Sequence, residues 1–154
     1  MNIRRATLAD LDAIELLWRE MMDFHIAIDD YFIMVPEADT NHREYMTGLL
    51  QNEAKCIIVA DDNGQIIGYL MAEINDYPPI YLQKQYGHIS AISVTASAQR
   101  EGIGHQLLDA ALDWFRGQGV KRVECAVAVE NPVSQRFWKG LGFRGIMETH
   151  VLEL

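Results

Sequence analysis

Gly102 and Gly104 stand between a run that reads as a strand and a run that reads as a helix. Before them, Ile89-Ser90-Ala91-Ile92-Ser93-Val94 is short and apolar enough for a buried strand. After them, Leu107, Leu108, Ala111, Leu112 and Phe115 recur at helical spacing. A strand that turns through glycine into a helix leaves the first N–H groups of that helix without acceptors. With the positive end of the helix dipole behind them, those donors form an anion site. Glycine suits the turn because a Cβ would block close approach, or forbid the positive φ that a nest of amides needs. The segment Gln99-Arg100-Glu101-Gly102-Ile103-Gly104 therefore points to a diphosphate ligand. Two rival phosphate motifs are excluded. No Gly-Lys-Ser/Thr is present, and Leu107 stands where a dinucleotide fingerprint needs its third glycine.

The remaining elements follow from local pattern. Asn2 to Ala6 reads as a short strand. Thr7-Leu8-Ala9-Asp10 reads as a helix cap with an acid three residues on, and Leu11, Ile14, Leu17, Trp18, Met21 and Met22 then share one helix side. Residues 25–39 mix acids and aromatics irregularly, and a second helix is predicted from Thr40 to Asn52. Lys55 to Ala60 is a strand, Asp61-Asp62-Asn63-Gly64 a hairpin turn, and Gln65 to Ile74 the returning strand. An aromatic-rich loop runs from Asn75 to Gly87, and His88 to Val94 is the next strand. The helix from Gly102 to Phe115 ends at Gly117 and Gly119, and Lys121 to Val129 is a strand. Asn131-Pro132 opens a last helix, and Phe143 to Leu154 reads as one or two final strands. The pattern predicts a single α/β domain, residues 1–154, with helices covering a sheet.

Composition narrows the partners. The formal net charge of −9 argues against nucleic-acid binding. No apolar run reaches membrane-spanning length, and no signal-peptide core follows Met1, so a cytoplasmic protein without membrane contact is expected. Cys56 and Cys125 lie in apolar strand-like runs and read as small buried hydrophobes. The five histidines are scattered without paired metal-ligand spacing, so no metal is expected.

Three spaced motifs carry a family resemblance. Gln99-x-x-Gly102-x-Gly104 is similar to the pyrophosphate motif of the GNAT superfamily of acyl-CoA-dependent N-acetyltransferases. Asn131, Phe137-Trp138 and Gly142-Phe143 resemble its following helix, and Ile3-Arg4-Arg5-Ala6-Thr7-x-x-Asp10 its opening strand and helix. The resemblance covers nearly the whole chain. It implies a mixed, mainly antiparallel sheet with a central, parallel, splayed strand pair, flanked by helices. It implies acetyl-CoA as acyl donor, with backbone amides of Arg100, Glu101, Gly102, Ile103, Gly104 and His105 holding the pyrophosphate. Ile92, Ser93 and Val94 would pair with the pantetheine arm like an added strand. Asn131 would contact that arm, cap its helix, or do both. Trp138 stands where the family often has a tyrosine acid; an indole N–H donates hydrogen bonds but is no usable acid, so Trp138 is expected to pack against cofactor or core.

The implied reaction is acetyl transfer to a primary amine of a small molecule or peptide by direct attack in a ternary complex. The base is open between Glu73, late on the strand beside the cofactor strand, and His88, at the start of the cofactor strand. A solvent-facing Glu73 is the plain alternative. His25, Asp29 and Tyr31 in the first irregular segment, and Tyr77 in the second, are candidates for binding a cationic, partly apolar amine. The missing tyrosine and missing strand carboxylate motivate a second reading, a catalytically weak acyl-CoA-binding sensor or complex subunit. The alternating C-terminal run is a candidate edge for a homodimer.

Overall fold

The computed structural model describes residues 1–52 and 54–154. Five strands form one sheet in sequence order: β1 (Asn2–Arg5), β2 (Lys55–Asp62), β3 (Gln65–Asp76), β4 (Gln85–Val94) and β5 (Val123–Cys125). The first three pairings are antiparallel and β4–β5 is parallel. On one face lie α1 (Leu11–Ile28) and α2 (Ala38–Leu50), packed on Ile57, Val59, Tyr69 and Met71. On the other lies α3 (Ile103–Gly117), whose Leu107, Leu108, Ala111 and Phe115 cover Ile58, Leu70, Ala72 and Ile89. Trp138 of α4 (Pro132–Gly140) joins the same core. Alternate strand residues therefore feed two separate cores, the period-two logic of a sheet covered on both faces.

Local chemistry explains most boundaries. Asn63 and Gly64 both take positive φ, 55° and 91°, as the hairpin turn requires. The Thr7 N–H and hydroxyl both bond the Asp10 carboxylate, at 2.8 and 3.0 Å, so the cap forms as read. α1 runs on to Ile28 and ends only where Asp29 turns extended, so His25 lies on its last turn and not in an irregular segment. No glycine or proline interrupts the intervening residues. β3 and β4 are longer than expected, which shortens their loop to residues 77–84.

Two expectations are corrected. The strand expected over 121–129 shrinks to Val123–Cys125, because only these residues find partners on β4. Residues 143–154 form no strand, so the parallel pair lies at the sheet edge and not at its centre.

Candidate functional site

β4 has two unlike edges. Toward β3 it is paired along its length, with one irregularity: Met71 faces Ala91 and Ala72 faces Ile89, leaving Ser90 as a bulge. Toward β5 it is paired only from Gly87 to Ile89. Beyond Ile89 and Cys125 the two strands part, and Ser90 to Val94 keep a free backbone edge. Such an edge receives an extended ligand as it would another strand. Ile92 and Val94 pack toward α3, while the Ser93 hydroxyl donates to the Leu17 carbonyl at 3.4 Å.

The turn after β4 is built to hold its amides open. The Gln99 side-chain amide donates to the Val94 carbonyl at 3.1 Å, latching the turn to the strand end. Arg100 and Gly102 take left-handed conformations, φ 69° and 80°. For arginine this backbone is uncommon and marks a constrained turn. Ile103, 2% exposed, anchors the helix start in the core. Gln106 donates the first helical bond, to the Gly102 carbonyl, at 3.1 Å. The N–H groups of Ile103, Gly104 and His105 thus have no helical acceptor, and no side chain caps them. A Cβ at Gly104 would stand 3.2 Å from the Phe137 ring, so glycine lets α3 start close against α4. The His105 ring meets Phe137 edge-on, and Glu101 is exposed.

Where β4 and β5 part, a cleft of about 880 Å³ opens between the end of α1, the two strands, α4 and the C-terminal segment. His25, Asp29 and Tyr31 line it, as do Ser90 to Ile92, Cys125, Trp138 and Met147 to Val151. His25 Nδ1 lies 2.8 Å from the Met21 carbonyl, and the Asp29 carboxylate accepts from the Tyr31 N–H at 2.9 Å. Trp138, 5% exposed, packs edge-on against Phe137 and Phe143 while bordering the cleft. Asn131 is buried and its side-chain oxygen accepts from the Ser134 N–H at 3.0 Å, a helix cap. Burial pushes the Cys125 thiol up to about 11, so it is held protonated at neutral pH.

The other candidates lie elsewhere. Glu73 is ion-paired with Lys55 on β2, and His88 faces Glu73 and Glu124 in the ladder; neither lines the cleft. Tyr77 stacks on Tyr86 at 4.4 Å, donates to Glu124 and lies under Arg122, a cluster off the cleft. Sequence reasoning passed over the Ser90 bulge, Cys125 as a cleft wall, and Met147 to Val151. The first two need strand register to be seen. The third carried only an alternation that reads equally as a strand.

Known proteins resemble this chain in sequence and in fold. The model of the Acetyltransferase (GNAT) family matches residues 14–143. An uncharacterized N-acetyltransferase of Archaeoglobus fulgidus is 28% identical over 147 residues, 94% of this chain and 93% of its own. Among solved structures, a mutant of the BH1408 protein from Bacillus halodurans superposes with a TM-score of 0.91 at 24% identity, covering 100% of this chain and 99% of the other. A predicted acetyltransferase from Clostridium acetobutylicum, solved with acetyl-CoA, gives a TM-score of 0.80 at 20% identity over 99% and 95% of the two chains. These two structures are likenesses of fold.

Proposed function

Because this chain belongs to the acetyltransferase (GNAT) family, we propose that it moves an acetyl group from acetyl-CoA to a primary amine by direct attack in a ternary complex. One observation carries the reading: the free edge of β4 past Ile89 leads into the turn of open amides at Gly102. The residues present fit coenzyme A. Apart from its chain neighbours, nothing lies within 4 Å of the position a Cβ would take at Gly102, so the turn is open on that side. Ile103, Gly104 and His105 would donate to the pyrophosphate, with the α3 dipole and Arg100 adding positive potential. Ile92 to Val94 would orient the pantetheine amides along the free edge. When bound, acetyl-CoA would supply the acetyl thioester, and coenzyme A would leave as the thiol.

The chain's own tasks are then position, charge and proton. Ser90 is skipped in the register with β3, and a backbone N–H left open at that bulge would polarise a carbonyl held there. A lysine-like amine must first lose a proton, which at pH 7 costs about 4–5 kcal/mol. Neither Glu73 nor His88 lines the cleft, so the proton reaches either only through water. His88, two residues before the bulge, is our preferred acceptor, since the Glu73 carboxylate is engaged by Lys55. Direct attack is favoured over an acyl-cysteine because a thiol raised to about 11 is ionised in only about one molecule in ten thousand at pH 7.

Titration calorimetry with acetyl-CoA tests the reading, repeated on Gly102→Glu with circular dichroism to confirm its fold. Micromolar binding that the substitution abolishes is expected, together with amine-dependent thiol release. No binding by the unmutated protein overturns the reading. Binding with thiol release at background for every amine would instead favour an acyl-CoA-binding sensor.

A further inference from the structure

Two imidazoles line the cleft among the described residues, His25 and His150. Only His25 is held in one orientation. Its Nδ1 lies 2.8 Å from the Met21 carbonyl one helical turn back. A carbonyl oxygen only accepts, so the bond assigns the ring proton to Nδ1. The neutral ring then carries its lone pair on Nε2, for which the described residues provide no hydrogen-bond partner. Phe24 meets the ring edge-on at 5.8 Å and Phe32 packs on it at 5.1 Å. His150 has no such hold: its side chain is 85% exposed, and Glu148 comes no nearer than 3.8 Å.

An oriented acceptor nitrogen on a cleft wall is what a general base requires. The same bond serves after protonation, because Nδ1–H keeps donating to the Met21 carbonyl in the imidazolium. His25 also lies in the last turn of α1, where the helix dipole favours a cation. Asp29, Asp30, Glu130, Glu148 and Glu153 share the cleft. They favour positive charge on ammonium and imidazolium alike, and so do not oppose its passage from one to the other. Cys125, protonated at neutral pH, is no rival. The Asp29 carboxylate is engaged by the Tyr31 N–H, and by type an imidazole is a stronger base than a carboxylate.

Resting on the transferase reading, we propose that His25 Nε2 is the group in contact with the acceptor amine that takes up its proton. His88, reached through water, is then the next acceptor. The freed lone pair forms the amide bond, and the C–S bond breaks with its electron pair left on sulfur. Of the two protons that an ammonium sheds, one leaves through His25 and one ends on the thiol.

Ethylamine and methoxyamine test this, since they match in size and differ in basicity. Ethylamine is as basic as a lysine side chain, whereas methoxyamine is already neutral at pH 7. Thiol release with acetyl-CoA is measured for the unmutated protein and for His25→Gln, whose fold and acetyl-CoA binding are checked by circular dichroism and calorimetry. His25→Gln is expected to lower kcat/KM about a hundredfold for ethylamine and less than about threefold for methoxyamine, with added imidazole restoring ethylamine turnover in His25→Ala. A long-range proton–nitrogen correlation spectrum of the coenzyme A-loaded protein in mild alkali should place the His25 proton on Nδ1. A proton on Nε2, an equal loss for both amines, or the selective loss arising in His150→Gln in place of His25→Gln would each overturn the assignment. Unchanged turnover in His25→Gln would overturn it and leave the transferase reading standing. Thiol release at background with both amines in the unmutated protein would sink both.

Discussion

Asp10 is the one charged residue buried among the described residues, 6% exposed. Arg4 grips both of its oxygens, at 2.8 and 2.7 Å, and reaches Asp61 on β2 with the same guanidinium. One carboxylate thereby ties β1, β2 and the start of α1. The Arg4 hydrogen bonds, opposed by burial, hold its carboxyl at about 2 against an ordinary 3.8. A folded value below the unfolded one gives stability that is present above about pH 3.8 and lost as pH falls through about 2. The difference corresponds to about 2 kcal/mol. Asp10→Asn is therefore expected to lower urea stability at pH 7 by about that amount, with the gap to the unmutated protein narrowing between pH 4 and 2. A gap that stays constant over that range would mean that Asp10 acts by packing and not by charge.

At the scale of elements, β4 lies flush on α3 because Gly87 has no side chain. A Cβ there would stand 2.5–2.7 Å from three Phe115 ring atoms, and Phe115 is itself 1% exposed. Gly87 also begins the short β4–β5 ladder. Gly87→Ala should destabilise by about 1–3 kcal/mol through overpacking, read as a lower thermal midpoint; an unchanged midpoint would show that Phe115 yields freely. The elements legible in the sequence were those with an internal signal. The apolar period of α3, the Asn63-Gly64 turn and the Thr7–Asp10 cap each specify their structure locally, and the Gln99–Gly104 turn falls between the strand and helix expected of it. What depends on pairing was not legible. Ser90 lies in an ordinary apolar run, yet register makes it a bulge. Val127 and Val129 look like strand residues but have no partner. Tyr77 reads as a loop aromatic, and only the longer β3 and β4 carry it away from the cleft into a cluster with Tyr86 and Glu124.

For the whole molecule, the helices on the two faces have different duties. α3 opens at the turn proposed to hold coenzyme A, while α2 packs beside α1, whose end lines the cleft. The second pair is joined through His42, stacked on Trp18 at 3.8 Å and bonded to Glu15 at 2.7 Å. Burial lowers His42 below its ordinary 6.5, with Glu15 opposing. The unfolded chain therefore takes up a proton first, and stability held above pH 6.5 declines as pH falls below it. Mild acid should loosen α1 and α2 before α3. Hydrogen exchange, referred to the slower intrinsic rate in acid, is expected to show lower protection at pH 5.5 than at pH 7 in α1 and α2 only, with the difference removed in His42→Gln. Equal acceleration in α3 would argue against this division. The bulge in β4 has a consequence of another kind. Ile89, Ile92 and Val94 face one core while Ala91 faces the other, so the strand changes parity at Ser90. Odd positions point one way before it and the opposite way after it. A relative lacking that one residue would keep its side chains in the same order yet exchange their faces. Corresponding positions beyond the bulge are therefore matched by hydrogen-bond phase and not by counting along the chain.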